Sequence, residues 1–292
     1  MVIELKNDWL KVEIDSFGAE IKSVKNKNGV EYMWNADEKY WKRTAPVLFP
    51  FVGSLRDKEY TYKGKKYPMG QHGFARDMEF DVVSQDAKSV WFELKANGDT
   101  LKVYPFKFCL RIGYELEGEC LKVLWDVSNQ GKDDVMHFSI GAHPAFMCPL
   151  NGEKTKAGYS LNFNTKEGLI YSRINNEGLM KNYKTEVMFD KDGKIVMDDH
   201  FFDEGVYIVE DYQANRVVLE DKNGKAYITM KFDAPLFGLW SPDKDAPFLC
   251  IEPWYGRCDR ETYEDDLTRR EYNNKLKPDE NWKRSYTITF NK

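Results

Sequence analysis

Alternation of apolar and polar residues is the dominant pattern along this chain. It is clearest in one run where every second side chain is apolar: Phe106, Phe108, Leu110, Ile112, Tyr114 and Leu116. A period of two places such side chains on one face of a β-strand. Glu117-Gly118-Glu119 interrupts the run, and alternation resumes from Leu121 to Val127. The two runs predict a long antiparallel hairpin with a short glycine-containing turn.

Shorter alternating runs predict further strands along the chain. They lie at Leu10–Ile14, Val90–Leu94, Arg216–Leu219, Ala226–Phe232 and Tyr286–Phe290. Asn-Gly dipeptides, which tolerate the positive φ of tight hairpins, separate several of the runs. Helical periodicity is rare, and its best candidate, Arg260–Leu276, is strongly charged and is expected to be a surface helix or a long loop. The pattern therefore predicts an all-β fold, a large antiparallel β-sandwich.

The chain shows no obvious point of division into domains. It contains no linker rich in proline, glycine or serine, no internal repeat and no low-complexity tract. The segment Asn151–His200 is richer in lysine, asparagine and glycine and more weakly patterned, which is typical of an excursion from the sandwich. A length of 292 residues suits one large all-β domain. We predict a single domain over residues 1–292.

Composition and charge exclude several classes of partner. Aromatic residues make up 15% of the chain and charged residues 31%, which suits a large core with a solvated exterior. With a net charge of −5, nothing attracts nucleic acid or an anionic membrane. The apolar run Ala45–Gly53 is too short to span a bilayer, and the first eight residues carry charges where a signal peptide needs an apolar stretch. We expect a soluble cytoplasmic protein with neither nucleic acid nor a membrane as partner.

The cysteine and histidine spacings argue against a metal centre. Five cysteines form an odd set with no C-x-x-C pair, which is atypical of a disulfide framework or a zinc knuckle. His137 and His143 are six residues apart, which matches no usual ligand spacing. Phosphate-binding loops, dinucleotide fingerprints and the G-x-S-x-G motif do not occur. We therefore expect neither a metal nor a cofactor.

Three segments break the alternation and combine an ionisable residue with glycine or proline and with aromatic rings. They are Gln71–Arg76, Gly141–Phe146 and Ile251–Gly256. Functional residues are commonly found where strands of a rigid scaffold end in irregular turns. Glu252 has apolar or aromatic neighbours on both sides, which indicates burial. Because a buried carboxylate usually has a shifted pKa, Glu252 is a candidate base.

Structural roles compete with functional ones for the remaining polar residues. A lone histidine on an apolar background is more often a hydrogen-bonded structural residue, and His137 is assigned to that class. His200 stands in a charged stretch and is expected to be exposed. For Arg76 two interpretations stay open: an ion pair with a nearby acid such as Glu79, or a contact to a ligand.

Taken in order, the three segments resemble the aldose 1-epimerase (galactose mutarotase) family, most closely its LacX-like branch. The resemblance rests on H-G-F-A-R at His72–Arg76, G-A-H-P-A-F at Gly141–Phe146 and I-E-P-W-Y-G at Ile251–Gly256. Upstream, Pro46–Arg56 is similar to the family's strand that ends in a substrate-binding arginine. The terminal Leu276–Glu280, with the strand that follows it, is similar to the family's closing segment. The likeness spans nearly the whole chain.

This resemblance implies a galactose mutarotase-like supersandwich that interconverts the α and β anomers of a free aldohexose without a cofactor. By position, Glu252 matches the general base that removes the C1 hydroxyl proton. His143 matches the general acid that protonates the ring oxygen. His72 matches the histidine that hydrogen-bonds the sugar and helps to polarise the same oxygen.

The family's substrate-binding residues carry over less completely. Arg56 matches an arginine that holds sugar hydroxyls. Asp203 is the nearest match to a substrate-gripping aspartate, but it lacks the His-Asn that follows that aspartate in the classical galactose mutarotases, which leaves the choice between galactose and glucose open. Trp240 and Trp254 are expected to stack on the sugar ring or to belong to the core. The expected partner is a hexose, and the chain is expected to be a monomer or a homodimer.

Three other functions compete with a free-aldose epimerase. A hexose-6-phosphate mutarotase is one, because Arg56 and Arg76 could face a phosphate. A non-catalytic carbohydrate-binding or sensor module is another, although it would not need Glu252. A glycosidase using Glu252 and Asp203 as its carboxylate pair is the third, and it leaves His72 and His143 without a role.

Overall fold

The chain folds almost entirely into β-strands. A computed structural model describes residues 1–150, 152–187, 189 and 193–291. The described helical segments are short: the α-helix Thr100–Val103 and the 3₁₀ turns Arg56–Lys58, Ala75–Asp77 and Leu267–Arg269. The first twelve strands are β1 (Val2–Lys6), β2 (Leu10–Asp15), β3 (Glu20–Asn26), β4 (Val47–Leu48), β5 (Glu59–Tyr62), β6 (Lys65–Pro68), β7 (Asp81–Gln85), β8 (Ser89–Lys95), β9 (Phe108–Glu117), β10 (Cys120–Asn129), β11 (Met136–Phe138) and β12 (Ile140–Ala142). The other twelve are β13 (Ala145–Met147), β14 (Ser160–Phe163), β15 (Leu169–Ile174), β16 (Met180–Val187), β17 (Lys194–Val196), β18 (Tyr207–Val209), β19 (Arg216–Glu220), β20 (Ala226–Phe232), β21 (Leu236–Trp240), β22 (Phe248–Tyr255), β23 (Asn274–Leu276) and β24 (Asn281–Phe290).

Two large antiparallel sheets form the body of the molecule. A nine-stranded sheet has the order β17-β14-β19-β20-β24-β10-β9-β8-β7. An eight-stranded sheet has the order β16-β15-β18-β21-β22-β12-β4, and β13 also pairs with β22. Three smaller sheets have the orders β1-β2-β3, β5-β6 and β11-β23. The predicted all-β antiparallel sandwich is confirmed.

The hairpin expected from the strongest alternation is present. β9 pairs with β10 from Glu117↔Cys120 to Phe108↔Asn129, so the hairpin begins two residues later than the pattern suggested. The apolar positions of β9 are buried because they face the space between the two sheets. The shorter predicted strands are confirmed as β2, β8, β19, β20 and β24.

Aromatic side chains join the facing sheets across the core. Phe163 of the nine-stranded sheet stacks on Phe237 of the eight-stranded sheet, with ring centroids 6.0 Å apart. Trp125 and Tyr255 meet edge to face at 6.1 Å. Such rings bury large apolar areas and dominate core energetics, which accounts for the high aromatic content. The core therefore lies between the sheets and leaves the outer face of the eight-stranded sheet available for a site.

One sequence expectation differs from the structure, and the structure decides between two alternatives for another segment. The described part of Asn151–His200 is no excursion, because β14 and β17 extend one large sheet and β15 and β16 extend the other. Of the surface helix and the long loop expected for Arg260–Leu276, the structure has the loop, with one 3₁₀ turn and strand β23. Its charged side chains form ion pairs, such as that of Arg270 Nε with Asp259 Oδ1 at 2.7 Å, which stabilise the extended backbone of the loop.

Two further features concern the helices and the cysteines. The described helices are all too short and too polar to cross a membrane. The five cysteines are free thiols, and four of them are buried: Cys109, Cys148, Cys250 and Cys258.

Candidate active site

A cavity of about 220 Å³ lies against the eight-stranded sheet. Six of the eight residues proposed from the sequence line it: His72, Arg76, His143, Trp240, Glu252 and Trp254. All but Trp240 belong to the three segments that break the alternating pattern, so the fold brings these three segments together.

Sheet register places His143 directly across from Glu252. β12 pairs with β22 through Gly141↔Trp254, and β13 pairs with the same strand through Ala145↔Cys250. Both pairings have one register, so His143, between β12 and β13, stands opposite Glu252. Cross-strand neighbours have Cβ atoms only about 4.5–5.5 Å apart. The His143 Nε2 and Glu252 Oε2 atoms are 3.2 Å apart.

Two glycines make room for the indole of Trp254. A Cβ on Gly141 would lie 2.6 Å from Trp254 Cδ1, and a Cβ on Gly238 would lie 2.7 Å from Trp254 Cζ2. Any side chain at either position would displace the ring. The indole therefore lies close over the sheet backbone and forms the floor of the cavity beside Glu252.

Backbone hydrogen bonds fix the orientation and the tautomer of His72. Its backbone N–H donates to the Gly53 carbonyl at 2.9 Å, and the Gly53 N–H donates to His72 Nδ1 at 3.0 Å. These bonds hold His72 at a φ of 66°, an uncommon value for a side-chain-bearing residue. Because Nδ1 accepts a hydrogen bond, the neutral ring carries its proton on Nε2. His72 therefore offers an N–H donor, and its ring lies 5.7 Å from that of His143.

Burial controls the charge of the facing pair. Glu252 is 1% exposed, and burial raises the pKa of its carboxyl well above the usual range. Burial, reinforced by the Arg76 charge, lowers the pKa of His143. Both shifts favour neutral side chains, in which the proton that the pair shares is on Glu252.

Glu252 accepts no hydrogen bond of good geometry in the described chain, although the Trp254 indole N–H lies near enough to offset part of the rise in its pKa. Neither of its oxygens accepts a hydrogen bond there, and the contact with His143 lacks hydrogen-bond geometry. An unsatisfied buried polar group is costly and calls for an explanation. A ligand hydroxyl in the cavity would supply the missing bond.

Indole rings surround the imidazole of His143. Trp41 stacks on it with centroids 4.7 Å apart and an interplanar angle of 30°, and Trp240 meets it edge-on at 5.4 Å. Sequence reasoning missed Trp41, which lies outside any alternating strand. The dense aromatic stretch containing Trp34, Tyr40 and Trp41 was the available signal.

Comparison with known proteins identifies the family. The sequence model of the aldose 1-epimerase family matches residues 1–289. This chain belongs to the aldose 1-epimerase family. The plasmid-encoded protein LacX of Lactococcus lactis subsp. lactis is 34% identical over 298 residues, which cover 99% of each chain.

Solved structures from the same family have the same fold throughout. A galactose mutarotase related enzyme from Lactobacillus acidophilus is 35% identical, with a TM-score of 0.93 over 100% of this chain and 98% of its own. A galactose mutarotase-like protein from Lactobacillus casei is 29% identical, with a TM-score of 0.93 over 100% of both chains. Family membership supports a carbohydrate epimerase.

Two residues that the family resemblance assigned to the substrate lie elsewhere in the structure. Arg56 does not line the cavity: its guanidinium donates to the Tyr263 carbonyl at 2.9 Å and pairs with Glu264 at 2.9 Å, beside a separate surface cleft. Asp203 is on the surface, where it pairs with His200 Nδ1 at 2.7 Å. Glu252 and Asp203 therefore do not form the carboxylate pair that a glycosidase would need.

Arg76 lines the cavity and also lies near an acidic side chain. Its Nε lies 3.7 Å from Asp77 Oδ2, and its Nη2 donates to the Gln71 carbonyl at 2.8 Å. Glu79 is not its acid partner among the described contacts. Burial, reinforced by the nearby Arg43 charge, lowers the pKa of Arg76 to about 10. A half-buried cation thus lies at the wall of the cavity.

The other histidines occupy the positions expected of non-catalytic residues. His137 is buried in β11, which pairs with β23, and does not line the cavity. His200 is exposed. Phe74, near His72 in sequence, packs against Phe49 and Tyr104 at the edge of the core.

Proposed function

We propose that this protein is an aldose 1-epimerase that interconverts the α and β anomers of a free aldohexose. The proposal rests on the buried His143–Glu252 pair, whose facing atoms are 3.2 Å apart at the wall of a sugar-sized cavity. Opening a hemiacetal removes a proton from the C1 hydroxyl and adds one to the ring oxygen, two atoms bonded to the same carbon. Transfer of the pair's proton from Glu252 to His143 gives a carboxylate and an imidazolium, which at this separation can serve both atoms in one step.

The reaction needs one base and one acid, which then exchange roles. Glu252 takes the C1 hydroxyl proton, the bond between C1 and the ring oxygen breaks, and His143 gives its proton to that oxygen. The free aldehyde rotates about its C1–C2 bond and closes on the other face. Ring closure returns one proton to His143 and takes the other from Glu252, so the protein ends as it began. Each proton transfer contributes about 10²–10⁴-fold to the rate.

The remaining cavity residues position the sugar. The Nε2–H of His72 donates to the ring oxygen and stabilises the charge that develops there as the bond breaks. Trp41, Trp240 and Trp254 provide apolar walls for the C–H faces of the ring. The C1 hydroxyl supplies the hydrogen bond that Glu252 lacks.

Polarimetry on freshly dissolved α-D-glucose and α-D-galactose tests this function. We expect the protein to accelerate relaxation of at least one sugar, and Glu252→Gln to lose that acceleration. A protein that binds either sugar without accelerating relaxation would instead be a carbohydrate-binding or sensor module.

One observation favours a hexose 6-phosphate as an alternative substrate. Arg76 is half-buried at the cavity wall, its buried Nε has no hydrogen-bond partner in the described chain, and Arg43 lies near it. A phosphate dianion would satisfy this cation. Initial rates on glucose and glucose 6-phosphate distinguish the two substrates. If the phosphate is the substrate, Arg76→Gln lowers the rate on the phosphate far more than the rate on glucose.

A further inference from the structure

A third potential metal ligand lies behind the facing pair. Cys250 precedes Glu252 by two residues in β22, so both side chains point to the same face of the sheet. Cys250 is fully buried, and it pairs in register with Ala145, two residues after His143. The Cys250 sulfur therefore lies near both members of the pair, and Cys250 is not among the residues that line the cavity.

The three ligand atoms are close enough to bind a single ion. The His143 imidazole, the Cys250 sulfur and a Glu252 oxygen lie within 4.8 Å of one another, the one such group found in residues 1–150, 152–187, 189 and 193–291. With Zn–N and Zn–O distances of about 2.0–2.2 Å, tetrahedral zinc holds its N and O ligands about 3.3 Å apart. The observed separation between His143 Nε2 and Glu252 Oε2 is 3.2 Å.

The ligand chemistry selects the class of ion. A thiolate, an imidazole and a carboxylate suit Zn²⁺ and similar thiophilic cations, whereas Mg²⁺ and Ca²⁺ prefer oxygen ligands alone. The Glu252 oxygens, buried and without a hydrogen-bond partner among the described residues, are an independent sign of an unfilled position. His143 and Glu252 line the cavity, so an ion entering from solvent reaches them first and keeps its fourth position open to the cavity.

We propose that His143, Cys250 and Glu252 form a binding site for Zn²⁺ or a similar thiophilic divalent cation, and that its occupation switches the epimerase off. Coordination uses the lone pairs through which His143 and Glu252 exchange protons with the sugar. As the ion binds, the thiol proton and the proton shared by the pair leave to solvent, and no electron is transferred. Inhibition follows because neither a base nor an acid remains at C1.

Equilibrium dialysis of the metal-free protein against ZnCl₂ tests binding without reference to catalysis. We expect one Zn²⁺ per chain. Second-shell partners of a metal ligand are worth about 10–100-fold in affinity, so loss of the Cys250 ligand in Cys250→Ser or Cys250→Ala should weaken binding by at least about 100-fold. Cys120→Ser is the matched control, because Cys120 is a half-buried thiol of β10 next to Thr289 and outside the cluster. It should bind like the wild type.

Substitution of Co²⁺ shows whether sulfur is a ligand. The wild type and Cys120→Ser should show a thiolate-to-cobalt charge-transfer band in the near ultraviolet, and both Cys250 variants should lack it. Equal Zn²⁺ affinity in the wild type and the Cys250 variants, or a cobalt complex without that band, would overturn the proposed site.

Inhibition is measured on the same proteins and rests on the proposed function. Zn²⁺ should abolish acceleration of anomer exchange, EDTA should restore it, and Mg²⁺ should have no effect. Each variant is compared with its own metal-free rate, and both Cys250 variants should need at least about 100-fold more Zn²⁺. Binding without inhibition of an active enzyme would overturn the switch. Binding by a protein inactive on every sugar would overturn the proposed function and leave the metal site standing.

Discussion

Two groups of buried ionisable residues differ in their bonding. In the first group, Arg257 Nε is 2.8 Å from Glu210 Oε1, and Arg270 Nε is 2.7 Å from Asp259 Oδ1. The arginines also donate to the backbone: Arg257 to the Cys258 carbonyl at 3.0 Å, and Arg270 to the Arg257 carbonyl at 2.8 Å. These residues are at most 7% exposed.

The second group is the cavity pair. His143 and Glu252 are buried like the first group, but the Glu252 oxygens accept no hydrogen bond from the described chain. Buried charges normally persist only when they are paired and hydrogen-bonded. The first group therefore has the bonding of a structural network. The second is polar and unsatisfied, which is the condition of a site prepared for a ligand.

The largest expected effect is on catalysis and not on folding. Glu252→Gln and His143→Asn should each lower the rate of anomer exchange by about 10²–10⁴-fold, because each removes one proton-transfer group. The thermal midpoint should stay the same or rise, since no hydrogen bond of Glu252 is lost. Polarimetry and thermal melts on the same samples check this. Exchange at the wild-type rate in either variant would contradict the assigned roles.

A substitution in the structural network should lower stability and leave the epimerase rate of the folded protein unchanged. Arg257→Met leaves Glu210 buried without its main cation, which should cost about 3 kcal/mol in the free energy of unfolding. That figure is at the low end for a broken buried pair, because Lys184 Nζ remains 3.2 Å from Glu210 Oε2. Urea unfolding measures the loss, and the double variant Arg257→Met/Glu210→Leu should recover much of it. A large loss of epimerase rate per folded molecule, with stability unchanged, would erase the contrast between the groups.

A pair of substitutions at His72 separates its two nitrogens. Gln retains a donor near the Nε2 position, whereas Asn retains an acceptor near Nδ1 for the Gly53 N–H. If the Nε2–H acts on the sugar, kcat should fall further in His72→Asn, by roughly tenfold or more, than in His72→Gln. Thermal stability should show the reverse order, because Asn keeps the backbone bond. Lower kcat in the Gln variant would assign His72 a structural role only.

The smallest effect is a pH-dependent difference in stability. The pKa of Glu252 is raised in the folded protein above its ordinary value of 4.5, so the folded state holds this proton more tightly than the unfolded chain. The resulting stabilisation is complete below that ordinary value and is lost as pH rises through the folded pKa. Glu252→Gln cannot ionise. The thermal midpoint of Glu252→Gln minus that of the wild type should therefore be larger at about pH 8 than at about pH 5. An equal difference at both pH values would show that burial does not shift the pKa of this carboxyl.

Local patterns in the sequence predict the strands and three segments of the site, because alternation and motifs are both properties of residues adjacent in sequence. The alternation from Phe108 to Leu116 gives strand β9, and the motifs around His72, His143 and Glu252 give the cavity. Sequence could not show that His143 faces Glu252, since that depends on the common register of β12 and β13 on β22.

The substrate-binding assignments from resemblance depend on where a side chain points, which the motif does not record. Asp57 and Lys58 have positive φ values of 57° and turn the chain just after Arg56, whose guanidinium pairs with Glu264 outside the cavity. Trp41 was missed for the opposite reason. It reaches the cavity from a segment with no periodic pattern, and only tertiary packing places it on His143.

Exchange between the anomeric protons of glucose and galactose, measured at equilibrium by NMR saturation transfer, tests the central claim most directly. It reports ring opening and closure in the presence of wild type, Glu252→Gln and Arg257→Met at equal folded concentrations. The account predicts exchange with the wild type and with Arg257→Met, and exchange at least about 100-fold slower with Glu252→Gln. Undiminished exchange with Glu252→Gln would show that the unsatisfied buried pair is not the catalytic centre.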